Sequence, residues 1–391
     1  MPASNQAKLL AWWSHRQGLD GRLATRSPAN VLSETGWARS VGGTNPYFAL
    51  FARAGITRET ADAAVAALEI YELPSARGCT YVLPASDFAL GLTVGQDFGG
   101  SEWKLALKLG ATESELDKLC DAVLKALARS ALDTDELRQA LGGAIRNFGP
   151  EGIKKGLATT LPVALGHLQS TGDIRRVPLN GRLDQQRYRY TQWRPNPLAK
   201  FKVSREEAYT ELARRYFHWI GPASAADFQA FSGLGVKASK AALEPLGLVP
   251  VEDRLMLPED RDSFEHFKAP SKPQYVLVGA IDSISLLRRD VLDLVPTGTL
   301  EKFQKIKGVQ DFPGNLIVDR GRLVGLWEYD LSAEAIAWVS FAPADASLKE
   351  AIRRTEDFIR HQLGDARGFS LDSPKSRAPR IEAIRRAAAG K

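Results

Sequence analysis

A chain of 391 residues with 44% hydrophobic and 25% charged residues holds enough apolar material to offset the entropy of folding, which excludes wholesale disorder, and its length favours about two to four domains. No apolar run approaches a membrane span, Trp12, Trp13, His15 and Arg16 interrupt any signal-peptide core, and two cysteines, Cys79 and Cys120, make neither a disulfide framework nor a cysteine zinc site, so a reducing cytoplasm is the expected setting. The net charge of +6 is uneven: between Ile174 and Lys202 eight cations face the single acid Asp184, a local +7, and the remaining chain sums to −1.

In chain order, apolar periodicity and stop signals predict helices over residues 7–16, 28–35, 46–53 and 57–69, then a wing of two strands over 72–84. Between the second and third helices runs Gly36-Trp37-Ala38-Arg39-Ser40-Val41-Gly42-Gly43-Thr44-Asn45-Pro46-Tyr47. Its paired glycines permit close backbone approach, Pro46 can start a helix, and Asn45 stands where it would cap one. The crowding of Trp37, Arg39, Thr44, Asn45 and Tyr47 fits a packed interhelical turn and a base-binding pocket equally well.

Residues 113–127 place Leu116, Leu119, Val123, Leu124 and Leu127 on one face of a helix. Asp133 or Thr134 caps a short helix ending at Gly142-Gly143, and Pro150 opens a longer one running towards Leu168. Two β arms, 174–177 and 187–191, are joined by a turn containing Asn180-Gly181. Three helices and a hairpin make a winged helix, and the same grammar recurs over 204–220, 224–231, 236–246 and a hairpin over 248–257. From Tyr275 the texture changes to strands, 275–278, 315–318, 323–327 and 336–339, read as a small β-barrel or sheet. An amphipathic helix over 347–363 follows, and 373–379 reads as a linker to a last helix. The expectation is an α+β protein of tandem winged helix-turn-helix units divided at 1–110, 111–203, 204–268 and 269–391.

The basic hairpin interleaves Arg175, Arg176, Arg182, Arg187, Arg189, Lys200 and Lys202 with Tyr188, Tyr190 and Trp193. Cations meet phosphates and aromatic rings stack on unpaired bases, so DNA is the expected partner. Lys154 and Lys155, near the start of the preceding helix, could add phosphate contacts. Ser232-Gly233-Leu234-Gly235-Val236-Lys237 fits a tight turn better than a phosphate grip. Five dispersed histidines show no paired metal motif, and the chain has neither a phosphate-loop lysine motif nor a Gly-x-Ser-x-Gly elbow, so neither cofactor nor metal is expected.

Several segments in order, Val41 to Arg53, Arg77 to Pro84, Gly221 to Phe228, Ala280-Ile281-Asp282 and Gly321 to Trp327, together resemble the winged-helix DNA glycosylases of the AlkZ and YcaQ type. The resemblance covers most of the chain. It implies three winged helices around a concave DNA channel, a C-terminal β-barrel, and metal-free hydrolysis of the N-glycosidic bond of bulky or modified bases; a monomer is the expected state. The family's Gln-x-Gln or Gln-x-Asp signature falls here on Arg39-Ser40-Val41 or on Gly42-Gly43-Thr44, so it is missing. Catalysis is then lost, directed at another base, or carried by another group; Asn45, Arg39 and Thr44 are the catalytic candidates, with Trp37 and Tyr47 for the base pocket. Repair of genotoxin adducts and restriction of foreign DNA with decorated bases both fit a monofunctional enzyme, and a non-catalytic DNA-binding regulator is the alternative.

Overall fold

A computed structural model describes residues 3–184, 186–296, 299, 301 and 314–390. The first helices are Ala3–Arg16, Pro28–Thr35, Asn45–Ala54 and Arg58–Ala66. Ser27 and Thr57 accept backbone N–H bonds at the starts of the second and fourth, the cap chemistry their sequences offer. At the third, Thr44 takes the cap position and Asn45 is the first helical residue, which corrects the expected cap by one position. Strand β1 (Ala38–Arg39) adds to a hairpin of β2 (Ile70–Pro74) and β3 (Thr80–Pro84), giving the antiparallel order β1-β3-β2.

Helices Phe88–Gly99 and Ser101–Lys108 lead to Glu113–Ala126 and Thr134–Leu141, the last two opened by capping boxes, Thr112 with Glu115 and Asp133 with Glu136. The single helix expected from Pro150 is two pieces, Gly149–Lys154 and Leu161–Ser170. Gly156 at φ +80 breaks the first, and Pro162 cannot donate to a preceding turn, so the second starts anew. Lys154 and Lys155 therefore lie at a helix end. The hairpin follows as β4 (Ile174–Pro178) and β5 (Tyr188–Gln192), paired from Ile174↔Gln192 to Pro178↔Tyr188.

Helices Arg205–Ile220, Ala225–Ser232 and Val236–Leu243 precede a short hairpin, β6 (Val249–Val251) and β7 (Arg254–Met256). The last sheet comprises β8 (Tyr275–Val278), β9 (Asn315–Asp319), β10 (Arg322–Asp330) and β11 (Ala335–Ser340) in the order β11-β10-β9-β8. Arg320 and Gly321, at φ +47 and +76, form the two-residue turn between β9 and β10 that the strand twist favours.

The expected barrel is not formed. The described sheet is open, its edge strands β8 and β11 do not pair, and four strands are too few to enclose a filled interior. Helices Ala346–Phe358 and Pro374–Ala388 pack against it instead. The expected linker over 373–379 is the first part of that last helix, started by Ser373 and Pro374 and held by buried Arg377 on Asp365 at 2.7 Å.

Buried side chains bind these elements together across the chain. Phe48 meets Trp327 edge-on at 5.4 Å and Phe51 stacks on Phe358 at 4.0 Å, so the helix after the glycine loop shares a core with the last sheet. Trp37, Tyr71, Trp193, Tyr216, Trp219 and Phe231 form a second core. Helices Glu113–Ala126, Thr134–Leu141 and Leu161–Ser170 and β4 pack around a third through Leu119, Val123, Leu137, Leu165 and Ile174.

Candidate nucleic-acid hairpin and active-site loop

The loop between Trp37 and Tyr47 is built largely from buried groups. Trp37 is 2% exposed, donates Nε1–H to Asp87 at 2.8 Å and packs against Tyr81 and Trp219. Tyr47 is also buried; its hydroxyl donates to Asp62 and accepts the Leu183 amide at 2.7 Å, and burial, then Asp62, holds its proton on well above the usual tyrosine range. Both rings, offered by the sequence as pocket walls, are committed to the interior in this structure. Arg39 is half-buried, donating to the Thr80 carbonyl at 2.9 Å with its guanidinium over Tyr81 at 5.4 Å.

Thr44 and Asn45 are each 2% exposed. The Thr44 amide and hydroxyl both donate to the Arg367 carbonyl, at 2.9 and 3.0 Å. Asn45 donates Nδ2–H to the Arg39 carbonyl at 2.8 Å, and its Oδ1 is buried without a hydrogen-bond partner. The segment that follows the helix Ala346–Phe358 crosses over the loop, with the Ser370 amide on the Val41 carbonyl at 3.1 Å. Only glycine fits at 43, where a Cβ would stand 2.4 Å from the Gly368 carbonyl oxygen. Gly42, at φ +73, faces the hairpin turn: a Cβ there would stand 2.3 Å from Nε2 of Gln186.

The hairpin divides its residues between two faces. Arg187, Arg189, Lys200 and Lys202 are exposed; Arg189 lies 3.6 Å from Glu136, a separation at which an exposed pair contributes little. Lys154 and Lys155 are exposed as well, with Lys155 on Glu151 at 2.8 Å. Arg175 is half-buried. Arg182 is neutralised by Asp184 in a two-pronged pair at 2.6 and 2.8 Å. Arg176 turns inward, its guanidinium 4.6 Å from the centre of the Tyr188 ring and 3.1 Å from Glu72. Of the aromatic residues expected to stack on bases, Trp193 is 5% exposed and wedged between Tyr71 and Phe88, and Tyr190 packs on the core around Leu119 and Val123. In this conformation these rings anchor the hairpin while Arg187, Arg189, Lys200 and Lys202 face solvent.

Sequence reasoning missed the contacts that join hairpin and loop. Glu72 on β2 accepts from the Ser40 hydroxyl, from Arg176 and, at 3.3 Å, from Tyr188. It also missed a buried ion pair: Arg53 clasps Asp282 through both terminal nitrogens at 2.8 Å, with further donation to Gln17 and Ser283. The signal was present, because Arg53 and Asp282 end two of the segments that carry the family resemblance. The glycine turn after Ser232 serves as a helix end with Gly233 left-handed at φ +75, beside a 440 Å³ cavity lined in part by Arg77, Gln229 and Arg289. Among the described residues no cluster of His, Cys, Asp and Glu could hold a metal ion, and no helix is long and apolar enough to cross a membrane.

A family model for AlkZ-like DNA glycosylases matches residues 38–361, which include the loop, the hairpin and the final sheet. The chain belongs to the AlkZ-like DNA glycosylase family. Its fold is similar to that of the Streptomyces sahachiroi DNA glycosylase AlkZ, with a TM-score of 0.68 at 19% identity over 94% of this chain and 99% of that one. No curated protein matches the sequence.

Proposed function

We propose that this chain binds DNA and hydrolyses the N-glycosidic bond of bulky or modified bases, leaving abasic sites. The observation that carries the reading is the family match, whose span of residues 38–361 takes in most of the loop and the whole hairpin. The geometry supports it: a face of exposed cations is tied through Glu72, Ser40, Leu183 and Tyr47 to a loop at the meeting point of three parts of the chain. Hairpins after helices at 70–84, 174–192 and 249–256 support a tandem winged-helix organisation, with units divided at 1–110, 111–203, 204–268 and 269–391. Phosphate contacts from Arg187, Arg189, Lys200 and Lys202 supply sequence-independent affinity. Removal of genotoxin adducts and attack on foreign DNA with decorated bases are the two settings such chemistry serves.

A second reading, a DNA-binding protein without chemistry, draws on the burial of Thr44 and Asn45, which in this conformation present no polar atom to a sugar. One assay separates the two. Duplexes carrying alkylated, crosslinked or otherwise modified bases are incubated with the protein and treated with alkali, which cuts at abasic sites. Strand breaks at the modified position are expected; tight binding without breaks across the whole panel would establish the second reading.

A further inference from the structure

The tip of the β2–β3 wing carries a residue that its backbone does not favour. Arg77 and Gly78 are both left-handed, at φ +58 and +67; glycine takes that conformation freely, whereas arginine there is uncommon. The Gly78 amide closes the turn on the Ser75 carbonyl at 3.0 Å, and the turn packs against the end of the helix Ala225–Ser232. Gly233 permits the approach, since a Cβ on it would stand 3.1 Å from the Arg77 Cα. The 440 Å³ cavity at this junction is lined by Arg77, by Gln229 and by Arg289 from a third part of the chain, and its lining holds no acid.

Both arginines are exposed. Among the described residues neither guanidinium has a carboxylate partner. Arg77 reaches only the Ala230 carbonyl, at a long 3.4 Å. Asp227 accepts the Arg289 backbone amide at 2.8 Å but spends its carboxylate otherwise on the Ser224 amide and hydroxyl and on Arg254 at 3.7 Å. Two like charges lining one cleft repel unless an anion lies between them.

We propose that Arg77 and Arg289 form a second phosphate grip, closing on one phosphodiester of the DNA backbone at a set distance from the glycine loop. The assignment rests on the glycosylase reading above. A guanidinium fork matches the oxygens of a phosphate and keeps its charge at any working pH, and Gln229 can add a carboxamide N–H. The distance follows from the wing. On β3, Tyr81 pairs with Arg39 of the loop, and Arg77 stands four residues earlier, a span of about 14 Å at most. A DNA strand advances about 3.4 Å per nucleotide, so the gripped phosphate lies within about four nucleotides of the base presented to the loop. With the hairpin cations, the grip holds the duplex from two separate parts of the chain.

The test measures binding of a duplex with a central tetrahydrofuran abasic analogue, by anisotropy at several salt concentrations. It compares wild type with the double variants Arg77→Gly, Arg289→Ala and Arg77→Lys, Arg289→Lys. The first suits the left-handed turn, so its fold is expected to survive, as its urea midpoint checks. Its salt slope is expected to fall in magnitude by about 0.9, one phosphate contact, and the double-lysine variant is expected to keep the wild-type slope. Single uncharged methylphosphonates walked along both strands are expected to weaken wild type at a position within about four nucleotides of the analogue, and to leave the first variant unaffected there. An unchanged slope, or no position within that distance at which the two proteins respond differently, overturns the grip and leaves the glycosylase reading standing. Stabilisation of wild type alone by inorganic phosphate, with equal slopes on DNA, overturns it in favour of a site for free phosphate. Absence of binding by wild type to every duplex overturns the grip and the glycosylase reading together.

Discussion

Replacing Asp282 with Asn tests what fixes the helix Asn45–Ala54, whose first turn carries the loop. The substitution keeps the volume and leaves an acceptor for the Ile284 amide, which Asp282 caps at 3.0 Å. It removes the counter-ion of Arg53, whose side chain is 1% exposed. Arg53 then retains the Ala49 carbonyl, Gln17 and Ser283, none of which is charged. An uncompensated buried charge of this kind costs about 3–5 kcal/mol, or roughly two to three and a half decades in an opening equilibrium at 1.36 kcal/mol per decade. Hydrogen exchange of the amides of Asn45–Ala54 reads that equilibrium directly, up to the limit set by global unfolding. The double variant Arg53→Met, Asp282→Leu removes both charges and is expected to regain most of the protection, because well-packed apolar side chains replace buried pairs at little cost. Protection within about threefold of wild type in Asp282→Asn would refute the reasoning.

The exposed cations give a second expectation: replacing Arg189, Lys200 and Lys202 together with Ala lowers the magnitude of the salt slope of DNA binding by about 2.7, at about 0.9 per phosphate contact, in anisotropy titrations at several salt concentrations. An unchanged slope would remove this face from the interface. A third concerns Glu328 on β10, 2% exposed and pushed up to about 7, chiefly by burial and against the pull of Arg380. An acid whose folded value lies above its unfolded value of 4.5 binds a proton in the native state that the unfolded chain has released, so stability falls as pH rises from about 4.5 to 7, by about 3 kcal/mol in all. Glu328→Gln is expected to flatten that decline and to unfold at higher urea than wild type at pH 8.

What the sequence disclosed was the part of the structure governed by near neighbours. Helices such as Pro28–Thr35 and Thr134–Leu141 carry their own start and stop signals, and β4 and β5 are marked by alternating side chains around Asn180-Gly181. Asn45 is the cap the sequence offers, yet Thr44 takes that position with its amide and hydroxyl on the distant Arg367 carbonyl, a partner that local chemistry does not announce. The longer helix drawn from Pro150 failed because one apolar face continues across a break that Gly156 imposes. Tertiary partners were hidden for a different reason. A cation beside an aromatic ring in sequence reads as a DNA surface whether the ring points out or in, and only the packing of Tyr71 and Phe88 turns Trp193 inward. Gln186 over Gly42 and Gly368 over Gly43 are pairings across long stretches of chain that no period or motif announces.

Those hidden pairings decide how the hairpin and the loop act on each other. A wing attached only at its base would move freely and carry no information about what it touches. Here Arg176 and Tyr188 hold Glu72, Glu72 holds Ser40, and the Leu183 amide holds the Tyr47 hydroxyl, so the two arms together, through Glu72, and the turn, through Leu183, are fastened to the loop at two points. Hydrogen bonds are short-ranged, with N–H···O separations mostly of about 2.7–3.2 Å, so a shift of the hairpin away from the loop breaks this network. On the proposed reading, phosphates bound along the outer face therefore position the duplex relative to Gly42 as a rigid template does, and the anchoring aromatics are what make that template stiff.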